Sequence, residues 1–285
     1  MPDIPWQWQA AAFIAGLVLG SFLNVVIVRL PKMLARRDAG RGADGGDEED
    51  GEDALSLASP ASHCPACRRP LKAWHNIPLL SYLALRGRCA WCRAPISPRY
   101  PVVELATALA LVGVLAVHQA PPAFAAGAVL SACLIALVAI DLRDGLLPDA
   151  ITLPLLWLGL AVNSFGLFTD AASAVLGAIA GYLSFAAMNQ CYAAVRKQQG
   201  LGGGDMKLLA ALGAWFGWQA LPGIVLLASV SGLAASLAMI AAGRWKRTTR
   251  IPFGPYLALA GWVCLLFGET LRDPLRVLLG GGEWP

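Results

Sequence analysis

Charge is what this chain has least of. Asp, Glu, Lys and Arg make up 14% of its 285 residues, against roughly 25% in an ordinary soluble domain. That scarcity argues against a water-solvated globule. Several catalytic signatures are missing as well. There is no H-E-x-x-H for a metalloprotease and no G-x-S-x-G for a serine hydrolase. The glycine run Gly202-Gly203-Gly204 is followed by no G-K-[ST], so it is not a phosphate loop. No Rossmann glycine fingerprint is present either. Met1 to Gln9 holds no basic residue and no cleavage site follows the first apolar run, so a signal peptide is not expected and the first helix should be retained.

What remains is 57% hydrophobic. Eight apolar segments follow one another: 10–28, 101–118, 122–140, 150–168, 171–195, 206–218, 220–242 and 252–271. Several approach the ~20 residues that a transmembrane helix needs. The expected fold is an all-α polytopic membrane protein with about eight transmembrane segments. The sixth segment is short, and reads either as a full span or as a partly inserted helix. Residues 1–30 form the first transmembrane helix, 31–100 a cytoplasmic region, and 101–285 a helical membrane domain.

Orientation follows from the cations, because cytoplasmic loops retain Lys and Arg. With the amino terminus outside, 20 of the 22 basic residues fall inside, and only Arg272 and Arg276 fall outside. Within the cytoplasmic region, Gly40 to Asp53 carries seven acidic residues, many glycines and no aromatic. Such a stretch cannot bury enough surface to offset its ordering entropy, and it reads as a disordered linker. Membrane lipid is an expected partner. The net charge of +4 marks no other, and no nucleic acid is expected.

Residues 63–100 read as a small folded module. It contains Cys64-Pro65-Ala66-Cys67 and Cys89-Ala90-Trp91-Cys92, separated by 21 residues. Two C-x-x-C pairs supply the four soft ligands of a tetrahedral structural zinc site. Free thiols or a redox pair are the alternative. His63 and His75 are substitute ligands that four cysteines make unnecessary. Cys133, Cys191 and Cys264 stand singly in apolar stretches and read as small buried hydrophobes.

Two acids stand out because ionisable groups near a bilayer are costly. Asp141 ends the third segment and Asp205 begins the sixth, 64 residues later, on the same cytoplasmic side. Asp205 also reads as an N-cap, and interfacial water could solvate Asp141. If the two meet, one carboxylate can act as base on a water while the other, protonated, polarises a carbonyl. Asp149 reads as an N-cap of the fourth segment, and Asp144 as a solvated residue.

The ordered motifs resemble those of the bacterial type IV prepilin peptidases. They are Gly20-Ser21-Phe22-Leu23-Asn24, Arg29-Leu30-Pro31, the cysteine quartet, Asn76-Ile77-Pro78, Leu85-Arg86-Gly87-Arg88, Ile96-Ser97-Pro98-Arg99-Tyr100-Pro101 with Glu104, Leu147-Pro148-Asp149, Gly202-x-Gly204-Asp205-x-Lys207 and Pro252-Phe253-Gly254-Pro255-Tyr256. The resemblance implies a G-x-G-D aspartic endopeptidase of the bacterial inner membrane, with Asp141 and Asp205 as its catalytic pair. It implies leader removal after a glycine from type IV prepilins or type II secretion pseudopilins. It also implies N-methylation of the new terminus from S-adenosylmethionine. Glu104 is the candidate for holding the substrate amine, or else a helix-start carboxylate facing the dipole. Lys207 either tunes the dyad or snorkels to the interface. The acidic insertion at 40–53 departs from the family pattern. Two other readings stay open: a peptidase without methylation, and a non-catalytic transporter or assembly factor.

Overall fold

The computed structural model describes residues 4–42, 56–57, 63–64, 66–70, 74, 77–196, 202–244 and 252–272. Residues 43–53 of the acidic stretch, together with His75 and Asn76, lie outside the described residues. The described residues are helical, with only two isolated β-bridges. The chain divides into two compact units, residues 1–116 and 117–285.

In the first unit, α1 spans Trp6–Gly42, α2 spans Leu80–Ala84 and α3 spans Arg99–Val117. α1 does not end near residue 28. It runs on through Pro31 for 37 residues, about 55 Å at 1.5 Å per residue. The extension is rich in Leu, Met, Ala, Lys and Arg, all strong helix formers. It outreaches the ~30 Å hydrocarbon layer. Gly40 to Gly42 therefore close a helix and do not open a linker. Gly16 and Gly20 let α1 approach the α3 backbone closely: a β-carbon at Gly16 would stand 2.5 Å from Ala108 Cα, and one at Gly20 2.6 Å from Glu104 Cα. Small residues four apart are a standard device for close contact between membrane helices.

The second unit contains α4 Pro121–Asp144, α5 Asp149–Asn163, α6 Ala171–Arg196, α7 Gly203–Phe216, α8 Leu221–Ala241 and α9 Gly254–Arg272. α7 is its centre. Every residue from Leu208 to Phe216 is buried, along with Asp205 and Met206. Gly177 and Gly213 meet backbone to backbone where α6 lies against α7. At 14 residues α7 rises about 21 Å, too short to cross by itself. The turn Gly217 and a 3₁₀ turn, Trp218–Ala220, lead into α8.

Among the described residues the eight expected segments correspond to eight helices, of which five are long and apolar enough to cross a membrane: the first, α3, α4, α6, and Trp218–Ala241. Asp149–Asn163 and Gly254–Gly268 are shorter apolar helices. α8 leaves Leu226, Val230, Leu233 and Leu237 exposed along one stripe. Apolar exposure on this scale suits lipid contact. Of the three lone cysteines only Cys264 is buried; Cys133 is half-buried and Cys191 exposed. An outward thiol on a membrane helix meets lipid, so its apolar surroundings do not require protein burial.

One side chain that the sequence reading passed over ties this unit together. Asn163, 1% exposed, ends α5. Its Nδ2 donates to the carbonyls of Ala214 and Trp215 at 2.8 and 2.9 Å. Its Oδ1 accepts from the N–H groups of Phe168 and Thr169 at 3.0 and 3.1 Å. One amide thus satisfies the end of α7 and the loop after α5.

Candidate active site and metal centre

Asp141 lies in the last turn of α4. Gly145, at φ 65°, closes that helix by donating its N–H to the Asp141 carbonyl at 2.9 Å. The leftward turn sends the chain back toward α5 and leaves the Asp141 side chain 7% exposed. Asp205 is 9% exposed in the first turn of α7. The N-cap of α7 is Gly202, so Asp205 is the third helical residue and not the cap. Its carboxylate turns back toward Gly202, whose N–H faces it, the arrangement of half a capping box. The fold brings Asp141 and Asp205 within Coulombic reach of each other. Two helix ends distant in sequence thereby form one buried acidic site.

A third element completes it. The N–H of Gly254, first residue of α9, faces the Asp141 carboxylate. A β-carbon at Gly254 would stand 2.5 Å from Asp141 Oδ2 and 3.1 Å from a Leu147 methyl. One at Gly204 would stand 2.6 Å from Leu147 Cβ, whereas one at Gly203 would meet nothing within 4 Å. Leu147 is therefore wedged between Gly204 and Gly254, while Gly203 has open space beside it. The contribution of Gly254 to this site could not be read from spacing, because nothing local in Pro252-Phe253-Gly254-Pro255 signals a carboxylate partner.

Nearby charges differ from expectation. Asp149 is the first residue of α5, after the cap residue Pro148. It does not cap; both its oxygens accept from Lys207 Nζ at 2.7 Å. Lys207 thus spends its charge on Asp149, joining α5 to α7 two residues after Asp205. Asp144 pairs with its neighbour Arg143 at 2.9 Å.

In the first unit, the Sγ atoms of Cys64, Cys67, Cys89 and Cys92 all lie within 4.8 Å of one another. Each pair sits in the same kind of turn. Cys64 N–H donates to Arg69 O and Arg68 N–H to Cys64 O; Cys89 N–H donates to Ala94 O and Arg93 N–H to Cys89 O. Arg68 and Arg93 occupy matching left-handed positions, φ 56° and 60°. The N–H groups of Cys92 and Trp91 point at the Cys89 sulfur and pull its thiol down to about 6. Zinc at ~2.3 Å from each sulfur would space the sulfurs about 3.8 Å apart, and Cys64 and Cys92 stand 3.8 Å apart. Donor type, spacing and thiolate-favouring N–H groups all suit zinc.

Glu104 is 8% exposed on α3. It accepts the Leu79 N–H at 2.9 Å, and the Ser21 hydroxyl faces it. Asn24 donates to the Tyr100 carbonyl at 3.1 Å. The Gly20–Asn24 motif is therefore the α1 face that receives α3. Two hollows, of about 340 and 180 Å³, are lined by apolar residues such as Leu156, Ile179 and Leu183, and Val129, Ile151 and Leu158. Neither presents an acidic or basic side chain, and neither suits S-adenosylmethionine.

Comparison with known proteins adds an independent line. Residues 14–118 match the Bacterial Peptidase A24 N-terminal domain, and residues 128–237 match the Type IV leader peptidase family. A prepilin leader peptidase/N-methyltransferase from Burkholderia pseudomallei (strain 1026b) is 47% identical across 98% of this chain and 90% of its own length. Proteins of the same description from Aeromonas hydrophila and Pseudomonas aeruginosa are each 46% identical, across 94% of this chain and 93% of theirs. No solved structure matches.

Proposed function

Since the chain belongs to the type IV leader peptidase family, we propose that Asp141 and Asp205 are the catalytic pair with which it removes the leader peptide of prepilins or secretion pseudopilins. The observation that carries this reading is the convergence of two buried carboxylates from the ends of α4 and α7. Two such acids share one proton. The ionised member takes a proton from water as the water oxygen attacks the scissile carbonyl. The protonated member donates a hydrogen bond to that carbonyl oxygen. Collapse of the tetrahedral intermediate breaks the C–N bond, and the leaving amine takes a proton from the dyad. The Gly254 and Gly202 N–H groups hold the two carboxylates in place.

The enzyme then N-methylates the new amino terminus, and S-adenosylmethionine supplies the methyl group. Cys64, Cys67, Cys89 and Cys92 hold a structural zinc. Four ligands close the coordination sphere, so the metal braces the module and takes no part in bond cleavage. The concentration of Lys and Arg on one side supports an inner-membrane enzyme whose dyad faces the cytoplasm, where the leader of an inserted substrate resides.

The test is prepilin processing in proteoliposomes with wild type, Asp141→Asn and Asp205→Asn compared by mass. Wild type should lose the leader and gain a methyl group on the product, and both variants should leave the precursor intact while remaining folded in the membrane. Substantial turnover by either variant would remove the shared-proton scheme.

A further inference from the structure

The zinc-ligand module carries a surface that peptide cleavage does not use. From residue 63 to residue 103 the sequence holds seven Lys and Arg and no Asp or Glu. Arg86, Arg88, Arg93 and Arg99 are all exposed. Beside them, Leu80 and Leu83 are 64% and 69% exposed, and Ile77 is 44% exposed. Leu80 and Leu83 are three residues apart on α2 and so share one face. Water alone does not favour this combination of bare leucines and, among the described residues, arginines with no ion-pair partner.

Depth identifies what covers it. α3 has 19 residues, about 28 Å at 1.5 Å per residue, which nearly equals the ~30 Å hydrocarbon layer. Its ends therefore lie at the two boundaries, with Arg99 at one of them. Glu104, five residues on, lies about 7 Å inward. The Leu79 N–H is fixed to the Glu104 carboxylate at 2.9 Å, so α2 begins at the level where acyl chains meet headgroups. At that level apolar side chains insert and Arg side chains reach up to phosphate.

We propose that Ile77, Leu80 and Leu83, with Arg86 and Arg88, form an interfacial foot that lies on the bilayer and binds anionic lipid headgroups. The foot holds the zinc module against the membrane at the height of Glu104. A cationic peptide is a poor alternative occupant, because residues 63–103 offer no acid to receive it.

Hydrogen exchange of the full chain in single-copy nanodiscs tests this. Discs of phosphatidylcholine are compared with discs of equimolar phosphatidylcholine and phosphatidylglycerol. Backbone amides over residues 77–88 should exchange more slowly in the anionic discs. Each Arg→Gln change at 86 or 88 should cost about fivefold of that anionic-lipid protection, and Arg→Lys should keep most of it. Leu80→Ser with Leu83→Ser should speed exchange in both discs. Bound zinc, measured by native mass spectrometry, checks that the variants fold; if the leucine pair loses zinc, the wild-type lipid comparison and the arginine variants decide. Equal exchange in the two discs overturns the proposal. So does protection that appears only on adding a prepilin peptide, which would make the face a substrate surface.

Discussion

Replacing Gly254 with alanine probes the site without removing a titratable group. The new β-carbon would fall 2.5 Å from Asp141 Oδ2 and 3.1 and 3.2 Å from the two Leu147 methyls. Ordinary contact begins near 3.5 Å, so the carboxylate must retreat by about 1 Å or α9 must withdraw and lose the Gly254 N–H. Leu147 cannot yield freely, because Gly204 closes on its other side. A displacement of this size at a reacting group costs on the order of 10²-fold in rate, or about 2.7 kcal/mol of barrier. Overpacking adds roughly 1–3 kcal/mol of destabilisation. The assay is leader cleavage under single-turnover conditions, with thermal unfolding of the same preparations. Gly204→Ala should behave like Gly254→Ala, because its β-carbon meets Leu147 at 2.6 Å. Gly203→Ala is the matched control: it meets nothing within 4 Å and should cleave like wild type. Wild-type turnover in Gly254→Ala, or equal loss in all three variants, would refute the wedge as the device that sets the dyad.

Asn163→Ala should lower stability by at least ~3 kcal/mol, because it strands two carbonyls and two N–H groups in a buried setting; a fall below 1 kcal/mol in denaturant unfolding would contradict this. Metal analysis of wild type should find one zinc per chain, and Cys64→Ser or Cys89→Ser should lose it and loosen residues 63–96 to proteolysis; a metal-free, protease-resistant module would refute the assignment. Asp170 caps α6, accepting the Ser173 N–H at 2.8 Å, and the Ser173 hydroxyl and N–H hold its carboxyl below the usual range. A depressed folded value means that the ionised cap stabilises the fold above about pH 4, and that this contribution fades as pH falls through the folded value. Stability measured from pH 6 down to pH 3 should therefore fall more steeply in wild type than in Asp170→Asn, and parallel curves would remove the cap from the account. Glu104→Gln should spare leader cleavage if Glu104 anchors Leu79; loss of methylation alone, read by product mass, would favour the amine-holding role.

The residues that were legible in advance are those whose chemistry conflicts with their surroundings. A carboxylate at the C-terminal end of an apolar helix opposes the dipole and the lipid, so Asp141 is conspicuous in one dimension. Paired C-x-x-C turns are local, and their ligand geometry follows from spacing alone. What could not be read depends on partners distant in sequence. Asn163 is an unremarkable amide until Ala214 and Trp215 arrive across 51 and 52 residues. Gly254 and Gly204 look like ordinary helix-start glycines until Leu147 is placed between them. Caps failed for a related reason. Asp149 and Asp205 both sit where a sequence reading expects a cap, yet one is taken by Lys207 and the other reaches back from the third position.

The length of α7 is the physical reason the two acids meet. A helix long enough to cross the bilayer would have its first turn fixed by the membrane boundary. α7, at about 21 Å and buried on nearly every side, is placed by its packing instead, through Gly177 against Gly213, Gly181 against the Leu209 carbonyl, and Trp215 against Gly159. Its end is locked by Asn163 and its start by Lys207 on Asp149. The height of Asp205 is thus set by protein contacts at both ends of one short helix. That arrangement lets a carboxylate be held beside Asp141 with the accuracy that the proposed shared proton needs, at a depth where lipid alone would leave it free to slide.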